Sequence, residues 1–210
     1  MNRKDIPEFF RPPNYNVTVN WDYLEHQLEK YDDRGTKNFK MGGLDLDPDF
    51  QRGHVWDEAK QIAYVEFCLR GGQSSRDILF NQPGWGDDYH GTMVLVDGKQ
   101  RLEAARKFVR NELPIFDGHL LKDFDDWKIL LRSHYAYFNF KINNLPTRKQ
   151  ELEWYLQLNT GGVVHTGEEI SKVQALLDEE TKKELKCDIE ECPDCVGGKC
   201  TSDPPWDCPE

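Results

Sequence analysis

The sequence predicts a mixed α+β domain, a small mixed sheet flanked by helices, followed by a short cysteine-rich tail. Three observations carry that expectation. Helical and strand-like patterns are interleaved without the strict βαβ alternation of a doubly wound fold. A short apolar strand at residues 93–96 runs through Asp97-Gly98 straight into an amphipathic helical pattern. The 210 residues suffice for one good core, and no apolar run of about 18 residues is present to span a membrane.

Taken in order, Pro7, Pro12 and Pro13 mark an irregular N-terminal arm. Residues 15–19 read as a strand, and residues 21–31 as a helix burying Tyr23, Leu24 and Leu28. After a glycine-bounded loop, residues 44–50 are extended at best, because Pro48 confines them to a sheet edge. Residues 56–69 predict a helix with Ala59, Ile62, Ala63 and Leu69 on its apolar side, ended by Gly71-Gly72. Strands follow at 77–80 and 93–96, separated by a turn-rich loop. The helix at 98–111 places Leu102, Ala105, Phe108 and Val109 on one face. Residues 113–116 form a short extended piece, and residues 135–142 a strand whose aromatics (Tyr135, Tyr137, Phe138, Phe140) suggest a half-buried sheet surface. A helix over 148–159 breaks at Thr160-Gly161-Gly162. Thr166 and Glu169 then make a capping box for a last helix, with Ile170, Val173, Leu176 and Leu177 on its apolar side. The expected organisation is an arm and helix over 1–40, a central domain over 41–180, and an acidic, cysteine-rich tail over 181–210.

The net charge of −11 is unevenly spread. Residues 176–210 hold eleven acids against four lysines, a net of −7, which leaves −4 for the rest. No global field steers such a chain to nucleic acid, so a DNA contact needs a local basic face, for which Arg101, Arg106, Lys107 and Arg110 are the candidates. The N-terminus has no apolar core of a secretory signal, and six cysteines without one predict reduced thiols or metal ligands in the cytoplasm.

The chemistry concentrates at Val96-Asp97-Gly98-Lys99-Gln100-Arg101-Leu102. A helix that begins here puts Lys99, Gln100 and Arg101 in its first turn. There, unpaired backbone N–H groups and the positive end of the dipole attract an anion. The alternative is an ordinary capped helix, with Asp97 as N-cap and Gln100 closing a capping box. Cations in a first turn oppose the dipole unless an anion compensates them, which favours a ligand site.

Two further segments share the pattern: Asp47-Pro48-Asp49-Phe50-Gln51-Arg52-Gly53-His54-Val55-Trp56, and Leu158-Asn159-Thr160-Gly161-Gly162 followed by Thr166-Gly167-Glu168-Glu169-Ile170. In this order the three segments resemble the N-terminal domain of GmrSD-type type IV restriction proteins. That domain carries a "QR…W" segment, a "DGQQR" strand-to-helix signature and an "N-x-G-G" turn before a capped helix. The resemblance covers roughly residues 40–178, with Lys99 standing where the family commonly has Gln. It implies a branch of the ParB/sulfiredoxin superfold that binds a nucleoside triphosphate at the signature turn, with Mg²⁺-dependent hydrolysis in several members.

Carried over residue by residue, the resemblance makes Asp97, Gln100 and Arg101 the catalytic candidates. Gln51, Arg52, Gly98, Lys99 and Asn159 become the nucleotide- and phosphate-binding ones. The chemistry fits these residue types. Arginines grip phosphate through paired hydrogen bonds, glycine lets backbone approach a ligand, and one carboxylate with substrate phosphates is a common magnesium site. His54 is an acid or base candidate or an exposed loop residue. Sulfiredoxin-type thiol chemistry is not expected, because the signature lacks a cysteine and Cys68 lies on a predicted helix.

The tail reads Cys187-x₄-Cys192-x₂-Cys195-x₄-Cys200, then Cys208. Zn²⁺ held by Cys187, Cys192, Cys195 and Cys200, with Cys208 as a substitute for one of them, is one reading. Free thiols in a flexible tail and disulfides are the others. The leading functional expectation is a Mg²⁺-dependent nucleoside triphosphatase linked to DNA restriction, defence, counter-defence or maintenance, in the cytoplasm of a bacterium or phage-infected cell. Its partners would be the nucleotide, DNA and a separate nuclease or other protein subunit, with no membrane. A non-enzymatic, ParB-like DNA-binding adaptor is the alternative. A stand-alone endonuclease is weaker, because the sequence shows no dense carboxylate cluster or histidine nucleophile.

Overall fold

A computed structural model describes residues 13–32, 42–51, 53, 56–86, 91–160, 167–190, 195–196 and 199–200, without the side chains of 160, 167–169, 184–190 and the last two pairs. The chain divides into two compact units, Met1–Thr147 and Arg148–Glu210. The first contains β1 (Tyr15–Asn20), α1 (Leu24–Asp32), β2 (Leu44–Asp45), α2 (Glu58–Leu69), β3 (Asp77–Asn81), β4 (Met93–Asp97), α3 (Lys99–Val109), α4 (Trp127–Arg132) and β5 (Tyr137–Asn143). The second contains α5 (Arg148–Thr160), α6 (Gly167–Glu190), β6 (Cys195–Val196) and β7 (Lys199–Cys200).

The five strands of the first unit form one mixed sheet in the order β1-β5-β3-β4-β2, so the class is mixed α+β as expected. β1 is antiparallel to β5, β5 parallel to β3, β3 antiparallel to β4, and β4 parallel to β2. Alternation along β5 explains the two sheet faces. Phe138, Phe140 and Ile142 are fully buried, whereas Tyr137, Asn139 and Lys141 are half-buried. The inward residues join Ile78, Phe80, Met93 and Leu95 in one core with Leu24, Leu28, Val65, Leu102, Ala105 and Phe108 from the helices. Trp21 is its aromatic hub, packed against Phe108 and Phe138 at ring-centre distances of 6.4 and 5.5 Å.

On the other face a polar row crosses three strands. Thr18 Oγ1 donates to Asn139 Oδ1 at 3.2 Å, Asn139 Nδ2 donates to Asp77 Oδ1 at 3.2 Å, and Lys141 Nζ donates to Asp77 Oδ2 at 2.6 Å. A buried arginine closes the end of α2. Arg76 donates to the carbonyls of Cys68 and Gly72 at the C-terminal end of α2 and to that of Tyr137 at the start of β5, so it ties the helix end to the strand.

Several expectations need correction. The 3₁₀ turn Trp21–Tyr23 precedes α1, so Trp21 and Tyr31 are buried and Tyr23 is exposed. The buried side of α2 is Gln61, Tyr64, Val65, Cys68 and Leu69, while Ala59 and Ala63 face solvent. The larger apolar area of Tyr64, Val65 and Leu69 outweighs two alanines, and Tyr64 keeps its hydroxyl paired by donating to Ser75 O at 2.7 Å. The extended piece at 44–50 shrinks to Leu44–Asp45.

Residues 113–116 make only an Ile115–His119 bridge, because Phe116 and Asp117 take positive φ and turn the chain back. β5 begins at Tyr137, leaving Tyr135 exposed. α4 was not anticipated from its six residues, too few to show a helical period. In the second unit α5 and α6 pack together, and α6 continues to Glu190, into the segment read as tail. Glutamates and lysines are good helix formers, and Lys183 pairs with Glu179 and Glu180 at 3.4 and 2.8 Å. Thr166 of the expected capping box lies outside the described residues.

Candidate functional site

β4 ends at Asp97 with Leu95 and Val96 fully buried behind it, which fixes where the strand hands over to α3. The N-cap of α3 is Gly98, not Asp97, and no side chain caps it, so the alternative reading of a capping box does not hold. Gly98 sits at φ +104°, and a Cβ built there would lie 2.7 Å from Ile78 Cδ1 and 3.3 Å from Ile78 Cα. Glycine is therefore demanded twice, by the left-handed backbone and by the close approach to β3. Leu102 N donates to Gly98 O at 2.9 Å and closes the first helical turn.

That first turn contains no acid of its own; its cations draw acids from neighbouring elements. Arg101 Nη2 donates to Asp97 Oδ2 at 2.7 Å and to Asp77 O at 3.0 Å, while its buried Nε makes no hydrogen bond among the described residues. Lys99 Nζ pairs with Asp47, whose carboxylate is largely exposed. Gln100 reaches to the segment before α2: its Oε1 accepts from Trp56 N at 3.1 Å and its Nε2 donates to Gly53 O at 3.3 Å. Gln51 Nε2 donates to Leu95 O, which ties the same segment to β4. Trp56 is further held by Gln61, whose Nε2 donates to its carbonyl at 3.0 Å, and by an edge contact with the Tyr64 ring at 5.4 Å.

The structure thus brings Gln51, Gly98, Lys99, Gln100 and the Asp97–Arg101 pair to one strand-to-helix junction. Arg52 and His54 lie outside the described residues, although Gln51 and Gly53 on either side of Arg52 are fastened to that junction. Asn159 belongs to the second unit, where its Nδ2 donates to Tyr155 O at 2.7 Å, one turn back in α5. Gly161, Gly162, Cys192 and Cys208 are outside the described residues, as are the side chains of Cys187, Cys195 and Cys200. Among the described residues no cluster of three or more His, Cys, Asp or Glu is placed to hold a metal.

Beside the junction, a groove of about 370 Å³ runs along α3 between Lys99, Glu103, Arg106 and Lys107 on the helix and Leu46 and Asp47 opposite. Its charge is largely compensated. Arg106 Nε and Arg110 Nη2 converge on the two oxygens of Glu25 at 2.8 and 2.6 Å. Burial alone would raise the Glu25 carboxyl, but the hydrogen bonds and charges of the two arginines hold it below its ordinary value. The four cations expected to make a basic face are therefore divided between Glu25 and Asp97, apart from Lys107, which lines the groove. Cys68 is buried, and desolvation pushes its thiol up, the opposite of what a nucleophilic cysteine needs.

Asp47 was missed as a site residue by sequence reasoning, and so was Asp77. Asp47 lies 52 positions from Lys99, a separation that no local pattern spans. Asp77 does carry a signal, as an acid opening a short apolar strand. No helix among the described residues is long and apolar enough to cross a membrane. Compared with family models, with curated proteins and with solved structures, the chain matches none.

Proposed function

We propose that the first unit binds a nucleoside triphosphate at the Gly98 turn and hydrolyses it with Mg²⁺, in the service of a DNA-directed process such as restriction, defence or maintenance. The finer fold in this reading is ParB/sulfiredoxin-like, as the sequence resemblance implies. One observation supports it: Gln100 bonds Gly53 and Trp56 to the first turn of α3 while Gln51 bonds to β4, so two separated motif segments meet where a helix N-terminus favours an anion.

The chemistry follows from the side chains present. Lys99 and Arg101 are held in place by Asp47 and Asp97, and a phosphate chain takes over as the anion at Lys99 when Asp47 swings out to solvent. Arg101 keeps its orientation through Asp77 O and offers its remaining N–H groups to phosphate oxygens. Gly98 provides the left-handed turn, close against Ile78 of β3, from which α3 starts. Magnesium fits the donor set, because the half-exposed Asp97 carboxylate together with substrate phosphates is the kind of ligation it favours. When bound there it supplies charge neutralisation on the phosphates.

The test is a binding panel of the four nucleoside triphosphates with Mg²⁺, run beside Arg101→Ala, with phosphate release as the second readout. Loss of one charge-assisted contact should weaken binding by about 1.5–3 kcal/mol, or roughly ten- to a hundredfold. Circular dichroism would check that the variant folds. Equal binding by both proteins, or none by the native chain, contradicts the reading. DNA retention without nucleotide that falls steeply with salt would replace it with the adaptor reading.

A further inference from the structure

We propose that the free edge of β1 takes an extended acidic peptide of a partner protein as an added strand, with Arg132 receiving its carboxylate. β1 stands at the end of the sheet order and pairs with β5 along all six of its residues without a bulge. Trp21 N donates to Ala136 O at 2.9 Å in the same register, and bonds in an antiparallel ladder alternate, so Val17 and Val19 turn their main-chain groups to β5. Asn139, opposite Thr18, agrees with this: its N–H donates to Arg76 O at 2.9 Å, on the side away from β1. Asn16 and Thr18 therefore point their N–H and C=O groups off the sheet, where they find no partner among the described residues.

Such an edge is ordinarily blunted by charge, proline or a bulge, and Tyr15-Asn16-Val17-Thr18-Val19-Asn20 has none of these. Room for a strand lies beside it. A groove of about 410 Å³ runs along the edge, with Tyr23 and Gln27 on its helical side. Thr18, Asn20 and Arg132 line both this groove and a second hollow, of about 600 Å³, which adds His134 and Tyr137 on the polar face of the sheet. Charge decides the occupant. Arg132 is 70% exposed, its Nε donates to Asp22 at 2.7 Å, and its terminal nitrogens make no hydrogen bond among the described residues. Lys30 Nζ stands 4.9 Å from the centre of the Tyr23 ring, a second cation beside the groove. Among the described residues Asp22 is the only acid lining either hollow, and it is held by Arg132. An added strand bonds through its backbone and sets alternate side chains on the two faces, which suits a carboxylate toward Arg132 and an apolar residue toward Tyr23. β5 and β3 separate this edge from β4 and the Gly98 turn, so the proposal does not rest on the nucleotide reading.

The experiment selects binders to the full chain from a displayed library of short peptides that alternate Val, Ile or Thr with Glu, Lys or Gln, and measures the selected peptide by titration calorimetry. Peptides with glutamate are expected to win. Arg132→Glu should weaken the selected peptide about tenfold or more, and the peptide's Glu-to-Lys counterpart should recover binding to that variant. Thr18→Pro removes an outward N–H at no cost to the β1–β5 ladder, so it should abolish binding while circular dichroism stays native. Methylating the peptide's backbone nitrogens tests the same bonds on the native chain and should abolish binding as well. The proposal is overturned by a library that yields no selected sequence, by selection of lysine peptides, or by binding that survives backbone methylation, a folded Thr18→Pro or Arg132→Glu. It is also overturned if a second copy takes the edge, seen in sedimentation as a native dimer that Thr18→Pro makes monomeric.

Discussion

Asp97 and Arg101 face each other across the Gly98 turn, Oδ2 to Nη2 at 2.7 Å, one as the last residue of a strand and the other in the first turn of the helix it feeds. The pair lies beside the first turn of α3, where the acid neutralises the arginine. A second acid, Asp47, does the same for Lys99 from a different segment. In the proposed nucleotide complex Asp47 gives way to phosphate at Lys99, whereas Asp97 stays in place as the carboxylate offered to magnesium.

If Asp47 competes with phosphate for Lys99, Asp47→Ala should raise nucleotide affinity. The Asp47 side chain is largely exposed, so the exposed-pair range of about 0.2–1 kcal/mol applies, a gain of up to roughly fivefold. Titration calorimetry in low salt would show it, and the gain should shrink as salt is added. An unchanged affinity would mean that Asp47 does not compete with phosphate, and a lowered one that it helps to build the site.

Gly98→Ala should destabilise the chain by about 2 kcal/mol or more. The positive φ alone costs roughly 1–2 kcal/mol for a side chain, and the contact with Ile78 adds to it. Urea midpoints would measure the loss. Shortening the neighbour in a Gly98→Ala, Ile78→Val double variant should recover part of the Gly98→Ala cost, because the contact to Ile78 Cα at 3.3 Å and the backbone strain persist. A neutral Gly98→Ala would contradict the geometry of the turn.

The Glu25 cluster predicts a pH dependence. Because its folded carboxyl lies below the ordinary value of about 4.3, the cluster's stabilisation is present above that value and is lost as pH falls through the folded one. Glu25→Gln should therefore be less stable than the native chain near neutrality by about 1 kcal/mol, a figure reduced for the partial exposure of the three side chains. The gap should close on acidification below about pH 4. Denaturant titrations at stepped pH would reveal a constant gap if the sign were wrong.

Residue pattern and structure agree where periodicity is strong. β4 leading into α3 was legible because an apolar run, a glycine and a helical stripe follow one another without interruption. α2 was found but rotated: alanine is too small to decide which side faces a core, and Tyr64 could be read as buried only once its hydroxyl had a partner in Ser75. α4 escaped for want of length. At the site, Gln51, Gly98, Lys99, Gln100 and Arg101 were legible as residue types and come together. Their partners were not, because Asp47, Gly53 and Trp56 meet α3 through contacts made only by the folded chain.

The most direct measurement is the backbone amide spectrum of the isotopically labelled chain on addition of a nucleoside triphosphate with Mg²⁺. Binding at the turn predicts saturable shifts led by Gly98, Lys99, Gln100 and Arg101, with Gly53 following through its bond to Gln100. No shift at those amides, or saturable shifts confined to other elements, would contradict the account.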